Sequence, residues 1–305
     1  MERIGSAQTF IDKQEPVDNH EHWDLVLKPQ SSSFELHLAE IWRYRDLLWL
    51  FVKRDFVSFY KQTILGPLWF FIQPLFTTVI YTFVFGGLAS ISTDGIPQPL
   101  FFMAGITAWN YFADCITKTS TVFRDNVNIF GKVYFPRIIM PLSLVVSNLI
   151  RFAVQMILFL ITMAWYYWGK GASFHATPYI LLFPFIVLLM GLLGLGFGMI
   201  VSAMTTRYRD LAFLVLFGVQ LMMYGTTVVY PLSAVVGRFQ KHPILTGLIE
   251  YNPLTAIIET FRVGFLGSGT FTWGLLAYAT GATLFIFLLG IFTFNRVEKN
   301  FVDTI

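Results

Sequence analysis

One cysteine in 305 residues leaves Cys115 without an intrachain disulfide partner and excludes a cysteine-based metal cluster. The five histidines (His20, His22, His37, His175 and His242) are scattered, and neither an H-E-x-x-H pair nor an acidic cation-binding loop occurs. No metal site is expected. No G-x-x-x-x-G-K-[ST] is present, so the chain has no phosphate-cradling loop for ATP, and "GSGTF" at 267–271 lacks both the lysine and the strand-to-helix setting. No cofactor is expected in this chain. Residues 1–37 are polar and acidic, with no apolar region behind a basic start, so insertion into a membrane is expected to rely on internal segments. Charge is scarce: 13% of residues are Asp, Glu, Lys or Arg, against about a quarter in ordinary globular chains. The net charge of +3 is small and its basic residues are dispersed, which argues against nucleic acid as a partner.

What is abundant is apolar. Hydrophobic residues make up 55% of the chain, and the mean hydropathy is +0.63. Residues 1–66 hold ten of the eighteen acidic and eight of the twenty-one basic side chains. Later stretches of about 20 residues have almost none, the length that crosses a hydrocarbon core at 1.5 Å per helical residue. An all-α membrane protein in three parts follows: a cytosolic extension over 1–34, an amphipathic interface helix over 35–66, and a six-span domain over 67–305. The spans are read at about 67–88, 98–119, 138–167, 178–204, 211–230 and 272–295. Between the last two, "HPILTGLIEYNPLTAIIETFRVGFLG" is too short in each apolar piece to cross, and predicts a re-entrant helical hairpin over 243–267 joined at Asn252-Pro253.

The stretch before the first span has a helical period. Ile41, Tyr44, Leu48, Phe51, Val52, Phe56 and Phe59 share one face, and Arg43, Asp46, Lys53, Arg54 and Lys61 the other. That pattern suits a helix lying in the membrane interface. Arg45 and Asp55 interrupt the apolar face, so one edge is expected against protein. Gly66-Pro67 then joins this helix to the first span as an elbow, with proline suited to a helix start.

Six spans put both termini on one side. Lys53, Arg54, Lys61, Lys118, Arg124, Lys132, Arg137, Arg207, Arg209, Arg296 and Lys299 fall there, against Lys170, Arg238, Lys241 and Arg262 opposite. The positive-inside rule makes the termini cytoplasmic.

Inside the third span Asn148, Arg151 and Gln155 form one polar stripe, which should face protein or water. Asp114 is a candidate partner for Arg151, although helix rise sets it about 10 Å nearer the cytoplasmic end. "GLLGLGFG" and "GMIVSAM" lie within a span, where small residues mean close helix packing. A membrane-embedded enzyme is disfavoured, since Asp114, Arg151 and Glu259 come from different depths.

"YKQTILGPLW", "NVNIFGKVYFPRIIMPLS", "RYRDL", "NPLTAIIETFRVGFLG" and "VEKNFVDTI" occur in order over residues 36–305. Together they resemble the membrane subunits of ABC exporters for cell-surface polysaccharides, above all O-antigen exporter permeases, with capsule and teichoic-acid exporters as cousins. The resemblance implies two copies of this chain forming a conduit above two copies of a separate ATPase subunit, which would bind ATP and magnesium. It implies a polyprenyl-diphosphate-linked polysaccharide as substrate and the inner membrane as location. It also implies an ATPase-coupling segment between the second and third spans, carried by Phe123, Arg124, Asp125, Phe130, Tyr134 and Phe135, whose aromatics suit docking into a partner's groove.

The same resemblance places the first and fifth spans around the conduit. Phe70, Thr77, Tyr81 and Phe85 share a face of the first, with Gln73 at its edge, and Phe213, Phe217, Gln220 and Tyr224 share one of the fifth. Stacking aromatics interleaved with hydrogen-bonding groups suit sugar rings. A lipid or drug exporter of the same architecture would favour a purely apolar conduit.

Overall fold

The computed structural model describes residues 38–61, 64–133, 135–172, 174–206, 208, 210–238 and 242–301, and every regular element among them is helical. Contacts divide the chain between Ser32 and Ser33, so all described residues belong to the second unit. The expected extension over 1–34 lies outside the described residues.

The stretch expected as one interface helix forms two, α1 (Leu38–Arg43) and α2 (Arg45–Tyr60), separated by a turn at Tyr44. A 3-10 turn at Gly66–Leu68 introduces α3 (Trp69–Tyr81), which continues in a wider turn over Thr82–Leu88. Next come α4 (Gln98–Ser120) and the two single-turn helices α5 (Val122–Asp125) and α6 (Val127–Phe130). The long α7 (Ile139–Ala164) reaches Gly169 through another wide turn, and α8 (Phe183–Thr205) follows a 3-10 turn at Pro178–Leu182. The chain closes with α9 (Leu211–Tyr224), α10 (Leu232–Arg238), α11 (Pro243–Glu250), α12 (Pro253–Leu266) and α13 (Trp273–Phe301).

Local chemistry sets the boundaries. Asn252 caps α12, its side-chain oxygen accepting from the Leu254 N–H at 3.0 Å, and Pro253 begins the helix where a missing N–H costs nothing. Gly267 ends it with φ +67°, a left-handed conformation glycine takes without strain. The expected break at Asn252-Pro253 is thus present.

Helix α8 sits at the centre, against α4 on one side and α13 on the other. Glycines make both approaches possible. A Cβ on Gly194 would stand 2.6 Å from the Cys115 Cβ, and one on Gly198 2.5 Å from the Thr119 Cβ. On the opposite side, a Cβ on Gly196 would lie 2.8 Å from the Phe287 Cα, and one on Gly290 2.6 Å from the Gly196 carbonyl oxygen. The glycine-rich run packs helices, as its sequence implied. Gly196→Ala is therefore expected to destabilise the bundle by about 1–3 kcal/mol, because backbone rather than a movable side chain must yield. Gly218→Ala on α9, where a Cβ meets nothing within 4 Å, should leave stability level or slightly higher. Thermal unfolding of the two variants in detergent checks both.

By length and apolar composition, four helical stretches qualify as membrane crossings: Trp69–Leu88, Ile139–Gly169, Pro178–Thr205 and Trp273–Val297. The other two expected spans differ from these in instructive ways. Helix α4 is 23 residues long but carries Asn110, Asp114 and Lys118, and it is enclosed by neighbours so thoroughly that lipid-like composition is unnecessary. The fifth expected span, 211–230, ends as a helix at Tyr224. Beyond Gly225 the chain turns, and Thr226, Thr227, Val228 and Val229 are buried in non-helical backbone.

Candidate functional site

The arm formed by α2 packs on α7 rather than standing alone. Of the expected apolar face, Phe51 and Val52 are buried and Ile41, Tyr44, Leu48 and Phe56 half-buried, whereas Trp49 and Leu50, which lie off that face, are exposed. Arg54 lies 2.7 Å from the Asp55 carboxylate and 4.9 Å from the Phe51 ring centroid. Helix α2 stops at Tyr60, and Lys61 to Leu65 intervene before Gly66, whose φ of +51° needs glycine's freedom. Across this joint the ring of Phe56 stacks on Phe70 at 6.4 Å, tying the arm to the first turn of α3.

In the segment expected to couple to the ATPase, Phe123 to Phe135, the described aromatics pack against this chain's own helices. Phe123, Phe130 and Phe135 are buried and face inward. Phe51 meets Phe135 at 5.6 Å, Phe135 stacks on Phe130 at 5.7 Å, Phe130 meets Phe123 at 5.7 Å, and Phe123 stacks on Phe294 of α13 at 4.6 Å. The physical reason is plain. Helices of a single turn cannot hold themselves, and these rings supply the burial that seats them. The outward face consists of Arg124, Asp125, Asn128, Gly131, Lys132 and Val133. Tyr134 lies outside the described residues.

Between α4 and α7 runs a ladder of three polar rungs. Asn110 donates to Gln155 at 3.4 Å, Arg151 pairs with Asp114 at 3.6 Å, and Lys118 donates to Asn148 at 2.8 Å. The expected offset of about 10 Å between Arg151 and Asp114 is overturned. Pairing Lys118 with Asn148 leaves two residues of α4 but nine of α7 beyond that rung, so α7 overhangs α4 by about 10 Å. That overhang carries α2, where Arg54 reaches the Met140 sulfur at 3.8 Å. Sequence reasoning missed Asn110 and Lys118, although their i, i+4, i+8 spacing with Asp114 marks one helical face.

A cavity of about 610 Å³ opens beside the ladder, bounded by α2, α4, α5, α7 and α9. Its wall includes Arg54, Lys118, Arg124 and Arg151, with Asp55 and Asp125 among them. Arg124 is held by Asp125 at 3.1 Å, and Asp125 also accepts from the Thr121 hydroxyl at 2.6 Å.

The two expected aromatic stripes have unequal surroundings. On α9, Phe213, Phe217, Gln220 and Tyr224 are all exposed along one edge of the bundle. On α3 the stripe divides. Phe70 is buried beneath Arg151, whose guanidinium lies 5.2 Å above the ring, so it fastens the joint. Gln73 is exposed and Thr77 half-buried, its hydroxyl bonded to the Gln73 carbonyl. Tyr81 donates to the Met223 sulfur at 3.6 Å, joining α3 to α9, and Phe85 packs edge-on against it at 5.2 Å.

At the far end of the bundle lies a pair, Glu259 and Arg262, whose contact the sequence reading did not foresee. Arg262, read from sequence as a loop cation, is buried within α12, 1% exposed like its partner Glu259 at 3.2 Å. Its other arm donates to the Val228 carbonyl at 2.7 Å, and its guanidinium sits 3.7 Å from the Phe101 ring centroid. The second Glu259 oxygen accepts from the Thr270 N–H at 3.0 Å. One carbonyl of the non-helical backbone after Gly225, that of Val228, is thus satisfied by a buried arginine, in keeping with the need to pair broken backbone within a membrane domain.

Comparison with known proteins follows this geometry. The O-antigen export system permease protein RfbA of Klebsiella pneumoniae is 27% identical over 260 residues, covering 85% of this chain and 94% of the relative. The protein of the same name from Myxococcus xanthus is 28% identical over 229 residues, covering 75% and 83%. The polysialic acid transport protein KpsM of Escherichia coli is 23% identical over 231 residues, covering 73% and 83%. The family description "ABC-2 type transporter" matches residues 46–266, the stretch that runs from the arm through α12. The chain belongs to the ABC-2 type transporter family and is a membrane permease subunit.

Proposed function

We propose that this permease moves a polyprenyl-diphosphate-linked polysaccharide across the cytoplasmic membrane, as one of two copies working with two copies of a separate ATPase subunit that binds ATP and magnesium. The relatives named for O-antigen export, matched over 83–94% of their own length, carry the substrate assignment. The polysialic acid transporter supports a second reading, an acidic capsule glycan.

In this reading all six expected spans cross the membrane, with α4 and α9 shielded by a second copy and by their neighbours. Helices α1 and α2 lie at the cytoplasmic interface, and α11 with α12 forms a re-entrant pair on the opposite side. Both termini are cytoplasmic. Moving Arg262 from a loop into the core sharpens the positive-inside contrast that supports this orientation. Residues Val122–Val133 receive the ATPase through their polar outward face, while Phe123, Phe130 and Phe135 fix that segment to α2 and α13. The exposed α9 edge and the neighbouring face of α3 suit the conduit.

The test is reconstitution into vesicles with the ATPase subunit and a lipid-linked glycan. Glycan is expected to cross only with hydrolysable ATP and both subunits. Passage without the nucleotide-hydrolysing partner would overturn the reading.

A further inference from the structure

We propose that the basic cavity between α2, α4, α5, α7 and α9 seats the diphosphate of a lipid-linked sugar before transport. The proposal rests on the exporter reading above and assigns the place where its substrate's anionic joint is held.

Charge argues first. Four cations, Arg54, Lys118, Arg124 and Arg151, line the wall against two carboxylates, Asp55 and Asp125, and they still outnumber the acids when Asp114, paired with Arg151 at 3.6 Å, is counted. A diphosphate esterified at both ends carries two negative charges at neutral pH and offers four terminal acceptor oxygens, twice a phosphodiester's number, to these donors. The cations come from four different elements and converge on one space, whereas positive-inside bias requires only that they lie on one side. Each guanidinium offers five N–H donors in a fixed fork, more than one neighbouring carboxylate can take.

Shape and polarity argue next. The lining also has an apolar part, Leu144 on α7 with Ala212, Phe213 and Leu216 on α9, and Phe213 is 75% exposed. Cations on α2, α4, α5 and α7 beside the purely apolar contribution of α9 suit a headgroup whose lipid chain leaves along α9. At about 610 Å³ the space falls within the range of small-ligand sites and accommodates a diphosphate with its first sugar. Phe213 belongs to both this cavity and the exposed aromatic edge, so a seated headgroup would lie at the cytoplasmic start of the proposed conduit.

The permease–ATPase complex in phosphatidylcholine nanodiscs, titrated with a radiolabelled polyprenyl-diphosphate monosaccharide, tests this. A Lys118→Gln, Arg124→Gln double variant is expected to bind about ten- to a hundredfold more weakly, the size of a lost charge-assisted contact or two. Lys170→Gln at the far end, where the ammonium rests on Trp165, should bind like the parent. Matching thermal unfolding midpoints exclude a folding defect, and Arg54→Gln supplies an independent variant if the double one unfolds. Polyprenyl diphosphate lacking the sugar should bind more weakly than the glycosylated form, and inorganic pyrophosphate more weakly still. Unchanged affinity in folded Lys118→Gln, Arg124→Gln and Arg54→Gln proteins would overturn the assignment, as would equal competition by phosphatidylglycerol. Failure of the exporter reading looks different: the parent complex would then show no ATP-driven glycan passage whatever these variants bind.

Discussion

Replacing Glu259 with alanine is expected to remove about 3–5 kcal/mol of stability, the cost of leaving a buried charge without its partner. Such a loss rivals the whole stability margin of many folded domains. The expected result is near-complete loss of monodisperse protein on detergent extraction, read by size-exclusion and thermal unfolding. Arg262 is 1% exposed, and three contacts hold it: Glu259, the Val228 carbonyl and the face of Phe101. Without the carboxylate, a guanidinium remains enclosed by rings and one carbonyl. A Cβ on Gly105 would also stand 2.8 Å from the same guanidinium, so the group has no room to turn toward solvent. A Glu259→Leu, Arg262→Met double variant should recover part of the loss, since no charge is then stranded. It should not recover all of it, because the Val228 carbonyl and the Thr270 N–H lose their partners. An unfolding midpoint for Glu259→Ala within a degree or two of the parent would refute this account of the pair.

That pair also marks the limit of what sequence makes legible here. Hydropathy finds helices that meet lipid, so α3, α7, α8 and α13 stand out. It does not find depth. Arg262 reads as a loop cation because its neighbours along the chain are mixed, and only the folded backbone brings Val228 and Phe101 to it. The end of α9 was misplaced for a related reason. Thr226 to Val229 are apolar enough to prolong a span, whereas the chain leaves the helix there and offers a carbonyl to Arg262. Glycine-rich packing on α8 was readable because a small residue inside a span has few other uses. The stripe Asn148, Arg151 and Gln155 was readable as a polar face, but its register was not. Register depends on how far α7 overhangs α4, a tertiary quantity. The inward turn of Phe123, Phe130 and Phe135 was equally hidden, since periodicity over two four-residue helices is too brief to assign a face.

Phe130→Asp is expected to abolish export by the reconstituted complex while leaving the permease inserted in the membrane. Phe130 occupies the middle of a run of rings that begins at Phe51 on the arm and ends at Phe294 on the last helix. A carboxylate there must be desolvated among aromatics or pull the segment toward water, and the second outcome costs less. Helices α5 and α6 would then lose their seat, while α7 and α8, which share this cluster but are also held by α4, stay in place. If this run transmits closure of the ATPase to the bundle, hydrolysis and transport should separate: ATP turnover persists, and glycan passage falls by more than tenfold. Phe123→Ala tests the same path without introducing charge. It creates a cavity against Phe294 at a cost of about 3–5 kcal/mol, shared between folding and coupling. A substitution on the outward face, Lys132→Glu, should act by another route, weakening ATPase assembly so that turnover and passage decline together. The pattern to look for is uncoupling on the inner face and poor assembly on the outer. Normal export by folded Phe130→Asp protein would show that force reaches the spans by some path other than these rings.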